Sequence, residues 1–343
     1  HMTDKFSCRT RLTAKRFDLA RDERFPDAER SPRHFLNVAP NVFLIFGKAK
    51  NRFMINFNAS PQVPSAEALR RSLDATDPLQ LQAGNPDLKL PTALSGSMNY
   101  YRNNAQKSRT FSIGLSGGYT FNLITSRSRL FLEPTYLPEY DYTAQKGAQL
   151  NTQVNVGGSY NLGTNISYSQ QIAALRSTLR ARADYDFRQT PYFRNERLYE
   201  SQHHTLNFVL EFDTGFSTKV KIAVYSRTSM SSYTTQQETR QDLREVVAAR
   251  LDLRFGKYFG YAGTLYEFYC NSASRKMTRH NVVLNVAAGR KFGKENRFSL
   301  SVGAIDLLNR PDYSSTRFDT DFIRTSTTSY LGRYAYAEAS YTF

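Results

Sequence analysis

Strict two-residue alternation dominates this chain, and it limits what the chain can fold into more than any other feature. From Leu175 to Arg188, one set is Leu175, Ser177, Leu179, Ala181, Ala183, Tyr185 and Phe187. The intervening set is Arg176, Thr178, Arg180, Arg182, Asp184, Asp186 and Arg188. A helix would mix the two sets, whereas a strand puts them on opposite sides of a sheet. The same rhythm recurs in Phe111–Phe121, Ala148–Tyr160, Thr205–Asp213, Val247–Phe255 and Asn281–Gly289. About fourteen such segments of about 8–15 residues can be counted, against the ~9–11 residues that a tilted membrane strand needs.

The connections alternate as well. Short ones fall near Lys48–Asn51, Asn104–Ser108, Thr214–Thr218, Gly256–Tyr258 and Gly293–Asn296. Long ones run near Ala59–Pro91, Asn122–Lys146, Gln189–Ser201, Met230–Arg244 and Leu307–Tyr330. Bacterial membrane barrels have short periplasmic turns and longer outer loops, so an all-β, antiparallel transmembrane barrel is expected over residues 1–343 as a single domain. One segment, Ser65 to Leu73, reads as a short helix in an outer loop.

Bulk properties agree. Mean hydropathy is -0.55, and no apolar run approaches the ~18 residues of a spanning helix. A barrel escapes that test because only every second residue meets lipid. The net charge of +16 would suggest nucleic acid in another fold. Here the basic residues are scattered along alternating faces, so no nucleic-acid partner is expected. Cys8 and Cys270 form neither a disulfide framework nor a metal cluster. The chain opens His1-Met2 without an export signal, which places the expected native N-terminus upstream.

Three segments resemble the C-terminal part of TonB-dependent receptors and their outer-membrane β-barrel relatives of Bacteroidetes type. They are Gln82-Ala83-Gly84-Asn85-Pro86-Asp87-Leu88-Lys89, Gly303-Ala304-Ile305-Asp306-Leu307-Leu308-Asn309-Arg310, and the ending Tyr334 to Phe343. The first is similar to a GNPDLKPE-like segment of those receptors, from which it departs at Leu90-Pro91. The resemblance implies a barrel of about twenty-two strands, whose plug and first strands lie outside this chain. It also implies uptake of a large nutrient (a glycan, peptide or metal chelate), energised by a TonB-type complex through the plug, with a surface lipoprotein as a further partner. Passive anion passage and a surface adhesin are the alternatives.

Candidate residues follow from the faces. Outer-loop aromatics Tyr136, Tyr140, Tyr142, Tyr192, Phe193 and Tyr199 are candidates for ligand contact. Arg176, Arg180, Arg182, Asp184, Asp186, Arg250, Asp252 and Arg254 are expected to face the lumen, where pairing across strands is the expected state. Phe343 and Tyr341 end an outward aromatic row and are expected to be read by the barrel-assembly machinery, with outer-membrane lipid around the finished wall. Adjacent His203 and His204 point to opposite faces of a strand and cannot easily share an ion. No metal, cofactor or catalytic residue is expected, and the chain is expected not to be an enzyme.

Overall fold

The computed structural model describes residues 6–23, 29–48, 50–194, 196–215, 218–236, 238–272, 279–293, 295–309, 314–318, 323–327 and 332–342. Fourteen strands form one antiparallel sheet in which each strand pairs with its sequence neighbour. They are β1 (Phe6–Glu23), β2 (Glu29–Lys48), β3 (Asn51–Pro61), β4 (Thr92–Asn104), β5 (Arg109–Phe121), β6 (Ser159–Ile172) and β7 (Ser177–Arg194). The order continues with β8 (Arg197–Thr214), β9 (Val220–Thr234), β10 (Thr239–Phe255), β11 (Tyr258–Asn271), β12 (Arg279–Phe292), β13 (Phe298–Ile305) and β14 (Tyr334–Tyr341). Among the described residues, no ladder joins β1 to β14.

Register keeps the two faces apart around the sheet. Asn165 of β6 lies opposite Asp184 of β7, which lies opposite Asn207 of β8. One residue away, Ile166, Ala183 and Phe208 are aligned in the same way. Directly opposed residues share a face, so the polar and apolar rows stay apart across β6 to β8. Farther on, the apolar row passes through Thr228 and Glu245 before Phe268, with Ser226 and Thr228 donating to the Glu245 carboxylate.

The apolar face carries two aromatic levels. Phe6, Phe46 and Phe53 cluster beside the first short turn, with ring centroids 5.0 and 6.4 Å apart, and Phe292 and Phe298 sit beside another at 5.9 Å. At the long-loop end, Tyr119 and Phe121 lie 4.6 Å apart, Tyr160 and Phe187 5.7 Å, and Phe268 and His280 5.1 Å. On β5, Phe111 and Phe121 mark the two levels. That stretch is ~33 Å of strand, which a tilt of about 40° projects to ~25 Å, the height of a barrel's apolar band.

Two of the long connections differ from expectation. Gln189–Ser201 and Met230–Arg244 are mostly paired strand, because the alternation continues through them: Tyr192 lies opposite Tyr199, and Tyr233 opposite Arg240. A further tight turn, the 3-10 segment Ala173–Leu175, separates β6 from β7 and holds Arg176 at φ 46°. Ser65–Leu73 is not a helix. It forms a hydrogen-bonded turn in which Ser65 Oγ accepts from Ala68 N at 3.1 Å, since so short a segment cannot repay helix nucleation.

The apolar core of the described residues lies in the loops, outside the barrel wall. The connections β3–β4 and β5–β6 fold together into a four-stranded sheet of Leu73–Asp74, Gln80–Ala83, Gln149–Asn155 and Ile124–Leu130. Leu81, Phe131, Leu137, Ala144, Ala148 and Leu150 are buried beneath it.

Candidate functional site

The polar face of the sheet forms a wall with two sectors. On β4 to β6 it presents small neutral groups such as Ser97, Asn99, Ser116, Asn165 and Ser167, aligned by register. Ser112 and Ser167 bond across the strands at 2.6 Å. On β7 to β11 the wall is charged. Arg180 reaches both Glu211 (3.5 Å) and Asp213. Arg182 pairs with Asp184 at 2.8 Å, Arg244 with Glu267 at 2.6 Å, and Arg250 with Asp252 at 2.8 Å. Arg227 donates to Asn207 Oδ1 at 3.2 Å. Where the sectors meet, a recess of about 710 Å³ is lined by Ser116, Asn165, Arg182, Asp184, Asp186, Glu211 and Arg227 among others.

Some side chains of the polar face lie flat on the sheet over glycine. A Cβ on Gly303 would come within 2.6 Å of the Tyr336 ring, and Arg250 lies 5.0 Å from the centroid of Tyr261. An aromatic over a strand glycine protects exposed backbone and pins register. It also keeps the ring off the barrel axis.

The expected lumen charges thus divide. Arg180, Arg182, Asp184, Asp186, Arg250 and Asp252 lie on the polar face. Arg254 occupies the same face beside the short turn, opposite Phe259. Arg176 sits in the turn before β7 and not in a lumen row. Tyr341 lies opposite Phe298 in the last ladder, while Phe343 falls outside the described residues.

The loop aromatics divide too. Tyr140 lines a cleft of about 300 Å³ in the outer loops, with Pro86, Arg127, Glu139, Thr152 and Glu196. Burial, more than the neighbouring Glu139, pushes the Tyr140 phenol above its ordinary range. Tyr142 packs against the loop core. Tyr136 is exposed, and its hydroxyl donates to Asp141 at 2.7 Å, which raises its pKa. Tyr192 and Tyr199 pack ring to ring at 5.8 Å on the extended β7–β8 hairpin, whose turn residue Glu196 lines the cleft while neither ring does. Phe193, one residue along, takes the opposite face.

The motif residues hold the loops together. Gly84 lies against the turn at Glu67–Arg70, and Asn85 N donates to Ala68 O at 2.7 Å. Asn85 Oδ1 accepts from Asp87 N at 2.9 Å, and Leu88 is buried. Asp87 pairs with Arg33 of β2 at 2.9 Å. Asn155 ties Lys89 to Asn122 through both ends of its amide. Sequence reasoning did not find this clasp, because its members are 66 residues apart. His203 and His204 face opposite ways: His203 meets the Tyr233 ring at 6.3 Å, and His204 Nδ1 meets the Tyr185 hydroxyl at 2.9 Å. Ser201 Oγ donates to Thr190 O at 3.0 Å.

Comparison with known proteins decides the family. Residues 20–342 match the outer membrane protein beta-barrel family. This chain belongs to that family. Membership in this outer-membrane barrel family locates the chain in the outer membrane and makes it a membrane barrel, not an enzyme. It also corrects the receptor reading. The family matched across almost the whole chain is this one, so the resemblance at Gly84–Leu88 does not make the chain a portion of a TonB-dependent receptor. No curated protein matches it. Among solved structures, it is similar to the Pseudomonas putida toluene transporter TodX (8% identity, 98% of this chain and 88% of that chain, TM-score 0.28). It is similar also to a Pseudomonas aeruginosa FadL homologue (10%, 98% and 88%, 0.32) and to the Ralstonia pickettii toluene transporter TbuX (11%, 100% and 90%, 0.29). TM-scores this low carry no weight for substrate or mechanism.

Proposed function

We propose that this outer-membrane barrel is a passive passage for small polar solutes. The observation that carries the reading is the mainly polar face of β4 to β11, interrupted at Val209, Val246, Ala248 and Leu265, with its neutral and charged sectors and its recess of about 710 Å³. Apolar solutes gain nothing from such a wall, whereas polar ones can exchange water for its hydroxyls and amides. Strong anion preference does not follow from the arginines, because Arg180, Arg182, Arg244 and Arg250 each hold a carboxylate.

A passage needs a closed wall. The free edges of β1 and β14 carry unpaired backbone groups that lipid cannot satisfy, so on this reading they are sealed in the membrane. A figure of about twenty-two strands rests only on the receptor resemblance. Partners on this reading are the surrounding lipid and, during insertion, the barrel-assembly machinery, which would read Tyr341 and Phe343.

The loop cleft at Tyr140 adds a first contact for incoming solute, with Arg127 supplying charge and Tyr140 a ring. Liposome swelling with neutral sugars of increasing size tests the passage. Small sugars are expected to enter vesicles carrying the folded protein up to a size limit. Vesicles that carry folded barrel yet exclude even monosaccharides would end this reading.

A further inference from the structure

The lipid-facing wall is not uniform. Across four strands, Leu206, Met230, Leu243 and Cys270 lie in register on the outward face. One step toward the outer loops, His204, Ser232 and Gln241 form the adjoining row. A recess of about 440 Å³ opens over these rows, with Tyr185 at one end. Its floor is apolar and its upper rim can hydrogen-bond. Small side chains at Ser232 and Cys270, between the larger Leu206, Met230 and Leu243, leave the hollow.

Height matters here. His204 lies opposite Phe187, and the two rings are 4.7 Å apart. Phe187 in turn meets Tyr160 of the outer aromatic level. The rim therefore stands where the polar parts of lipids meet the barrel, and the floor lies just below, at acyl depth. The Tyr185 hydroxyl holds His204 Nδ1 at 2.9 Å. With that hydroxyl donating, Nε2 keeps its proton and is the donor left for another group.

We propose that this recess seats one acyl chain of an outer-leaflet lipid, whose ester, amide or headgroup oxygens rest on His204, Ser232 and Gln241. The recess is continuous with the lipid interface of the barrel. A chain that enters it packs against floor and rim together, where a flat wall offers one surface. The site is separate from the lumen and does not depend on what the lumen passes.

The chain contains no tryptophan, so a single introduced one is an unmixed reporter. Leu206→Trp stands at the edge of the recess, and Leu210→Trp stands outside it on the same strand, opposite Ser226; the two native residues are 44% and 38% exposed. Met230→Trp is a second reporter from the neighbouring strand. Each variant is folded into phosphatidylcholine vesicles doped with increasing fractions of the same lipid brominated on its acyl chains. Quenching of L206W and M230W is expected to run ahead of L210W at every low fraction. Adding Ser232→Phe and Cys270→Phe, which fill the hollow, should return L206W to the L210W curve. If all three reporters quench alike, or if filling leaves the excess unchanged, the recess holds no preferred chain.

Discussion

Gly84 is a residue whose motif is legible and whose role is not. A Cβ there would fall 2.5 Å from Arg70 N and 2.6 Å from Glu67 O, both backbone atoms that cannot swing away. Gly84→Ala must therefore push the turn off the loop sheet, at about 1–3 kcal/mol. The expected readout is faster proteolysis within residues 62–91, while the heat-modifiable mobility of the barrel stays as it was. Tyr140 gives a second residue-level test. Burial raises its phenol, so it contributes stability in full below the ordinary value of 10.0, and that contribution is lost as pH rises through the higher folded value. Subtracting the alkaline absorbance titration of Tyr140→Phe from that of the wild type should isolate one phenol that ionises above the exposed tyrosines. A difference curve centred at the ordinary value would show that the cleft does not bury it.

At the scale of the element, alternation made the strands legible, because each must separate lipid from lumen and so writes its two faces into sequence. Phe208 and Asn207 illustrate the rule as adjacent residues, one toward lipid and one lining the recess at the sectors' meeting point, although the row of Phe208 runs on to Thr228 and Glu245. Phe208→Arg, near mid-height of the apolar face, is expected to destabilise the folded barrel by about 2–4 kcal/mol. Asn207→Arg should cost far less. Denaturant titration in lipid vesicles measures both. What the sequence hid was non-local. The extension of β7 and β8 to Arg194 and Arg197 was masked because the strand outruns the membrane and keeps alternating among polar residues. The turn at Ala173–Leu175 was missed because Leu175 fits the outward period of the following strand. The loop core joins Leu81 to Leu150, and no local pattern announces contacts of that span. The receptor resemblance failed for a related reason. Gly84–Leu88 fixes a turn of its own loop and ties it to β2 through Asp87 and Arg33, and such an anchor can serve any barrel with long loops, whatever passes through it.

For the whole molecule, on the proposed reading, charge pairing along β7 to β11 sets what the lumen selects. Removing Arg180 frees Glu211 and Asp213 together. Arg180→Ala should thus move the reversal potential of the channel toward cation preference in planar bilayers under a salt gradient, and high salt should shrink the shift. No change would mean that this triad lies off the path of the ions. The claim beneath all of this is that one face of the sheet meets water inside the barrel and the other meets lipid. It is tested most directly by single cysteines at neighbouring positions, in a background with Cys8 and Cys270 replaced by serine, challenged in outer-membrane vesicles with a charged, water-soluble thiol reagent. Cysteines at Asn165 and Asn207 are predicted to react quickly, and those at Ile166 and Phe208 to stay protected. Equal reaction at both parities, or protection of the first pair and labelling of the second, would contradict the account.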